Sequence, residues 1–266
     1  MPKKLLPFSA APIADPIYNE HVPNTYSDRC GMDQSGKVKY RYNDLGFRGE
    51  NYNDDAKFHI YVCGPSKAFG TGLNEEDIWC YHFKRKFAEC HHVSESDVNI
   101  LNLSITGASM DYIARVTISQ CQRIKPDLML VALSSAGRTE YFTDENDRAF
   151  SNYAVQFNPH ILFTLEHYDE YDFHKNRLAA LGEEGIEELL TTTEGFYQYY
   201  TEYIGLINRL KNLLLIQQYC AAHSIPQISW SIFRYSLQAE LKQLQAQRPL
   251  PESIAGLIDC IDFSTI

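Results

Sequence analysis

The sequence predicts an α/β protein, a three-layer α/β/α domain built on a parallel sheet. Two observations carry this reading. Between residues 58 and 133 a short apolar run, a loop and a helical pattern recur, and the third round ends on its strand. Such repetition specifies parallel pairing with right-handed crossovers. The first strand, Ile60-Tyr61-Val62-Cys63, stops at Gly64-Pro65-Ser66, and a glycine-rich segment precedes the next helix. That is the form of a buried strand feeding a βα turn. Parallel sheets gather chemistry at the carboxyl ends of their strands. Ser66 would stand there on a tight turn, the setting a serine nucleophile needs.

The elements follow in order. Residues 1–40 carry prolines at 2, 7, 12, 16 and 23. They read as an extended N-terminal arm suited to docking on a protein assembly, and 41–266 as the α/β domain. Tyr40 to Glu50, YRYNDLGFRGE, makes a structured turn before the first core strand. Ile78, Trp79, Phe83 and Phe87 keep helical spacing and predict a helix from about Glu75 to Cys90. Asp97 to Leu103 is a second strand and Ser104 to Ser109 its loop. Met110, Ile113, Thr117, Cys121 and Ile124 mark the next helix, and Pro126-Asp127 introduces a third strand, Leu128 to Leu133. From Tyr141 to about Thr193 no strand is evident, and the segment reads as a lid or insertion. Phe196, Tyr200, Tyr203, Ile207, Leu210 and Leu214 restore a helix to near His223. A fourth strand spans Ile225 to Trp230, a helix over 236–256 is broken at Pro249 and Pro251, and Leu257 to Phe263 reads as a fifth strand.

Composition excludes several classes. The 266 residues, 44% apolar, suit one large domain or one domain with an insertion. A formal charge of −10 argues against nucleic acid and against an anionic membrane, since both need basic patches. No apolar run reaches the roughly 18 residues of a membrane span. The opening MPKKLLPFSAAPIADP is too short and too broken by proline for a secretory signal, so localisation reads as cytoplasmic or undetermined. The 18 tyrosines and 14 phenylalanines point to aromatic packing, or to a contact surface for sugars or proteins. Seven cysteines without a CxxC pair read as buried free thiols in a reducing compartment.

No cofactor or metal is expected. Gly70-Thr71-Gly72 lacks the Lys-Ser/Thr pair of a phosphate loop and the third glycine of a dinucleotide fingerprint. His160, His167 and His174 recur every seven residues. Seven helical residues rise about 10.5 Å, too far for neighbours to share one ion. Glu166, Asp169, Glu170 and Asp172 lack the spacing of a calcium loop.

Four blocks together resemble the SGNH (GDSL-type) hydrolase superfamily. Gly64-Pro65-Ser66, continued by Phe69-Gly70-Thr71-Gly72, resembles the family's Gly-Asp-Ser nucleophile block. Asn102-Leu103 through Gly107-Ala108-Ser109 resembles the block whose glycine N–H helps form an oxyanion hole. Lys125-Pro126-Asp127 through Leu133 is similar to the strand leading to Gly-x-Asn-Asp, and Asn43 to Gly49 looks like the lead-in Asn-x-x-Gly-Phe-Arg-Gly. The likeness covers residues 40–140 well. It implies a flavodoxin-like sheet and an ester hydrolase or acyl-transfer protein acting on O-acyl groups of a carbohydrate or related small molecule. It also implies Ser66 as nucleophile and Gly107 as oxyanion donor.

The departures are specific. Pro65 replaces the family's aspartate, and Ala136 stands where the asparagine of the oxyanion hole would be. One such donor is worth about 10²–10³ in rate. Arg138, in Ser135-Ala136-Gly137-Arg138-Thr139-Glu140, then becomes a candidate cation for the oxyanion or substrate, or an internal ion-pair partner of Glu140. The Asp-x-x-His block expected after the last strand is absent, since neither Asp259 nor Asp262 has a histidine three positions on. Three readings stay open: a chain ending before that block, a base from elsewhere such as 141–193, or a non-catalytic fold. The last is an SGNH-like binding or structural component of a larger assembly, for example a phage or surface structure. The plainest alternative for Ser66 is a helix cap, and for Gly107 a left-handed turn.

Overall fold

Four parallel strands make the sheet at the centre of the protein. The computed structural model describes residues 26–27, 38–142, 154–157, 202–232, 237–247 and 249–266. In chain order the strands are β1 (Tyr26–Ser27), β2 (Tyr40–Arg41), β3 (Phe58–Cys63), β4 (Val98–Asn102), β5 (Leu128–Leu133), β6 (Thr139–Phe142), β7 (Ala154–Phe157) and β8 (Gln227–Ser231). The helices are α1 (Ser66–Phe69), α2 (Trp79–His91), α3 (Met110–Cys121), α4 (Glu202–Ala222), α5 (Leu237–Gln247) and α6 (Glu252–Asp259). The central sheet runs β4-β3-β5-β8, all parallel, with Ile60 level with Ile100 and Leu128, and Val131 level with Ser229. This is the flavodoxin-like order, and the protein is α/β as its sequence predicts.

Alternation along the strands divides the core in two, because successive side chains point to opposite faces. Tyr61, Cys63, Leu101, Leu103, Met129, Val131 and Leu133 face α3 and α4, where Ile113, Val116, Leu206, Leu210 and Leu213 meet them. Ile60, Val62, Val98, Ile100, Leu130 and Ala132 face the side carrying α1 and α2, with Ala68, Cys80, Tyr81 and Ala88. Both faces of the two inner strands, β3 and β5, are therefore apolar, which is why the sequence reads as continuous apolar runs there.

Several expectations are corrected. Leu257 to Phe263 is no strand: α6 and a 3₁₀ turn, Phe263–Thr265, occupy that stretch. Ile254, Leu257, Ile258 and Ile261 stand at i, i+3, i+4 and i+7, a helical face that outweighs the short apolar run. The helix expected from Glu75 begins as a 3₁₀ turn, Glu75–Asp77, and becomes α-helical at Trp79. Within 141–193, Ala154–Phe157 is a strand, paired antiparallel with Thr139–Phe142. The arm contributes Tyr26–Ser27, antiparallel to Tyr40–Arg41. Residues 1–25, 28–37, 143–153 and 158–193 lie outside the described residues.

The thiols are mixed. Cys63, Cys80, Cys121 and Cys220 are free and buried, whereas Cys90 and Cys260 are free and exposed; Cys30 lies outside the described residues. Burial pushes the Cys63, Cys80 and Cys121 thiols up to about 12, so they stay protonated and inert. A thiol-disulfide reagent applied to the native protein should modify Cys90 and Cys260 quickly and spare these buried thiols until denaturant is added, as peptide mapping would read.

Gly64 marks a tight point of the fold. A Cβ there would lie 2.6 Å from Ala132 Cβ and 2.7 Å from Ala68 Cβ, so β3, β5 and α1 meet over a bare backbone. Gly64→Ala should destabilise the protein by about 1–3 kcal/mol through overpacking, seen as a lower urea midpoint at unchanged slope.

Candidate functional site

The chain leaves β3 toward α1 and α2 on one face of the sheet. It leaves β5 toward α4 on the other. Loops departing in opposite directions open a crevice at the carboxyl ends of β3 and β5, the topological switch point where open α/β sheets bind ligands. Ser66 stands there, half-buried, as the first residue of α1. The helix cap is extended Pro65, whose carbonyl accepts from Ala68 N at 2.8 Å and Phe69 N at 3.0 Å, and no side chain caps the helix. The Ser66 hydroxyl is thus not occupied in capping. Its carbonyl accepts from Gly70 N at 2.9 Å and Thr71 N at 3.0 Å.

The loop after β4 is drawn against this turn by backbone pairing that continues past the strand. Leu103 N donates to Val62 O at 2.7 Å and Ile105 N to Gly64 O at 3.1 Å. The buried Asn102 reinforces it, donating Nδ2 to Ala68 O at 3.2 Å and accepting Ser104 N on Oδ1 at 3.1 Å. Gly107 takes φ +78, the left-handed conformation that favours glycine. Among the described residues, neither the Ser66 N–H nor the Gly107 N–H donates to any acceptor. Ser109 then caps α3, its Oγ accepting from Tyr112 N at 3.1 Å.

The end of β5 closes the third side. Ser134 Oγ donates to Ala108 O, tying this strand to the Gly107 loop. Ser135 Oγ accepts from Gly137 N at 3.1 Å, forming the turn that carries half-buried Arg138 into β6. The suggested Arg138–Glu140 pair is corrected. Glu140 is gripped by Arg115 of α3 through Nε at 3.0 Å and Nη2 at 2.6 Å, a bidentate fork that alternation along β6 and the spacing of α3 bring together. Burial raises the Glu140 carboxyl above the ordinary range, against the pull of Arg115.

Two polar hubs were not legible as such in the sequence. Asp111, in the first turn of α3, accepts from Asn208 Nδ2 at 2.8 Å, Asn212 Nδ2 at 2.9 Å, Thr139 Oγ1 at 2.8 Å and Glu140 N at 3.2 Å. It thereby fastens α4 and β6 to the helix that follows Gly107. The second hub is Arg48, inside the turn read as Asn43 to Gly49. Asn43 Oδ1 accepts from Leu45 N at 3.0 Å and Phe47 N at 2.9 Å, which shapes the loop and turns Arg48 inward. The buried Arg48 guanidinium donates to Phe69 O at 3.0 Å and also to Gly70 O and Leu73 O. It lies 4.3 Å from the Tyr40 ring centre and 4.9 Å from that of Phe69. The only advance signal was an arginine inside a glycine-bounded turn.

Among the described residues, no histidine is hydrogen-bonded to Ser66. His59 begins β3 and bonds Tyr52 Oη at 2.9 Å; His82 is exposed on α2 beside Arg85; His91 and His92 end α2; and His223 follows α4 against Tyr219. His160, His167 and His174 lie outside the described residues. No group of three metal-binding side chains occurs among the described residues, and no described helix is long and apolar enough to cross a membrane.

No family model and no curated protein matches this chain. Among solved structures it is similar to the psychrotrophic esterase EstA from Pseudoalteromonas sp., inhibited by monoethylphosphonate. Identity is 11%, the match covers 78% of this chain and 86% of the esterase, and the TM-score is 0.34.

Arg48→Met should destabilise the protein by about 3–5 kcal/mol, since the carbonyls that met the guanidinium lose a buried charged donor. Arg48→Lys should recover only part of this, because a point charge cannot reproduce the fork. Chemical denaturation of both variants measures it.

Proposed function

We propose that this chain is a serine ester hydrolase or acyl-transfer protein of the SGNH type, acting on O-acyl groups of a carbohydrate or related small molecule. One observation carries the reading. Ser66 occupies the switch point as the first residue of α1, its hydroxyl not used in capping, and its own N–H and that of Gly107 meet no described acceptor. Ser66 Oγ attacks the acyl carbonyl carbon while its proton passes to a base. The oxyanion of the tetrahedral adduct accepts from the Ser66 and Gly107 N–H groups. Arg138 supplies positive charge from the β5–β6 turn, where Ala136 replaces the family's amide. Collapse expels the alcohol and leaves an acyl-serine, which water or a second alcohol then attacks. The reading requires a proton acceptor for Oγ, which a histidine from 141–193 would supply.

Fluorophosphonate labelling with the modified residue mapped by mass spectrometry tests this directly. Stoichiometric label at Ser66 is expected, with Ser66→Ala losing both the label and turnover of p-nitrophenyl acetate. No label at Ser66, or turnover that survives the substitution, would sink the catalytic reading and favour the binding or structural one.

A further inference from the structure

Acidic residues outnumber basic ones in this chain by 34 to 24. Several basic side chains sit directly on a carboxylate: Arg41 on Glu75, Lys84 on Glu50, Lys86 on Glu89 and Arg115 on Glu140. Arg123 and Lys125 differ. Both are exposed, and among the described residues neither side chain is in an ion pair or a hydrogen bond. They stand together on the segment between α3 and β5, and they line the same cleft.

That cleft lies where α3 and α4 end and the chain enters β5 and β8, at the amino end of the sheet. Its volume is about 550 Å³, within the roughly 300–1,000 Å³ of small-molecule sites. The buried Cys121 and Ile225 contribute apolar lining. Tyr219 and His223, with ring centres 4.3 Å apart, add an aromatic side. Among the described residues no carboxylate lines the cleft. Asp127, the acidic residue nearest Lys125 in sequence, accepts His59 N of β3 on Oδ2 at 2.8 Å.

Cations at the carboxyl end of a helix commonly serve its unpaired carbonyls and its dipole. Here the backbone already meets those carbonyls. Ile118 O accepts from Gln122 N and Gln120 O from Arg123 N, both at 2.9 Å; Tyr219 O accepts from His223 N at 3.1 Å and Cys220 O from Ile225 N at 2.8 Å. The Arg123 and Lys125 side chains are therefore not needed as caps. Two cations beside apolar and aromatic surface suit an organic anion. A phosphate monoester carries about −1.5 to −2 charge at neutral pH and several strong acceptor oxygens, so it matches both cations where a carboxylate would match one.

We propose that this cleft binds a small phosphate monoester, with the phosphate between Arg123 and Lys125 and the organic part against Tyr219 and His223. The site lies at the opposite end of the sheet from Ser66 and does not rest on the reading of that serine.

The experiment titrates the full chain with phenyl phosphate and, separately, with inorganic phosphate by isothermal calorimetry. Saturable binding of phenyl phosphate is expected, roughly fivefold or more tighter than that of inorganic phosphate, because the ring adds apolar contact. Arg123→Gln combined with Lys125→Gln should weaken it about tenfold or more. Arg85→Gln combined with Lys86→Gln, the same change of charge on α2 across the sheet, should leave it unaltered. In the unsubstituted chain, phenyl phosphate should shield Lys125 but not Lys86 from an amine-reactive reagent, as peptide mapping reads, which tests the site without any variant. No saturable binding of phenyl phosphate, equal weakening by the two double substitutions, or no shielding of Lys125 would overturn the site. Inorganic phosphate binding as tightly as phenyl phosphate would overturn the assignment to an ester.

Discussion

A single buried cation shapes the surroundings of Ser66. The guanidinium of Arg48 meets the carbonyls of Phe69, Gly70 and Leu73 and lies against the rings of Tyr40 and Phe69. Helix α1 has four residues, far below the roughly 12–15 at which an isolated helix begins to persist in water. Its terminal carbonyls need donors from outside: Arg48 donates to that of Phe69 and Asn102 to that of Ala68. Burying a charge is unfavourable unless donors, acceptors and polarisable faces replace its water. Here they do, so the conformation of the serine turn is held from a loop preceding the first core strand.

The sheet order makes the site, and the loops make it close. Because β3 lies between β4 and β5, the turns after all three strands converge at one end. Hydrogen bonds then join them in sequence: Ile105 to Gly64, Ser134 to Ala108, Asn102 to Ala68. Gly64 permits this approach by having no side chain where Ala68 and Ala132 already fill the space. The result is a close approach of the loops that follow β3, β4 and β5.

The polar chemistry is unevenly satisfied. On the α3–α4 side, Asp111 accepts from three side chains and a backbone N–H, and Arg115 matches Glu140 atom for atom. That network holds β6 and α4 in register with α3 and leaves little to offer a ligand. Beside the Ser66 turn, the hydroxyls of Thr71, Ser104 and Thr106 are buried and unmatched.

The α/β class, the first three strands and their helices were legible in the sequence, because apolar runs and 3.6-residue spacing are local signals. The serine turn and the left-handed glycine were legible for the same reason: Gly64-Pro65-Ser66 and Gly107 declare themselves by residue type. The last helix was misread because Leu257 to Phe263 looked like a strand until Ile254 was counted with it. What no local signal carries is partnership. That Arg48 would reach carbonyls more than twenty residues away, that Glu140 would choose Arg115 over nearby Arg138, and that Asp111 would gather Asn208 and Asn212 were decided only in the tertiary structure. Side-chain periodicity sets which face a residue occupies, but hydrogen-bond and ion-pair partners depend on which distant faces the sheet order brings together.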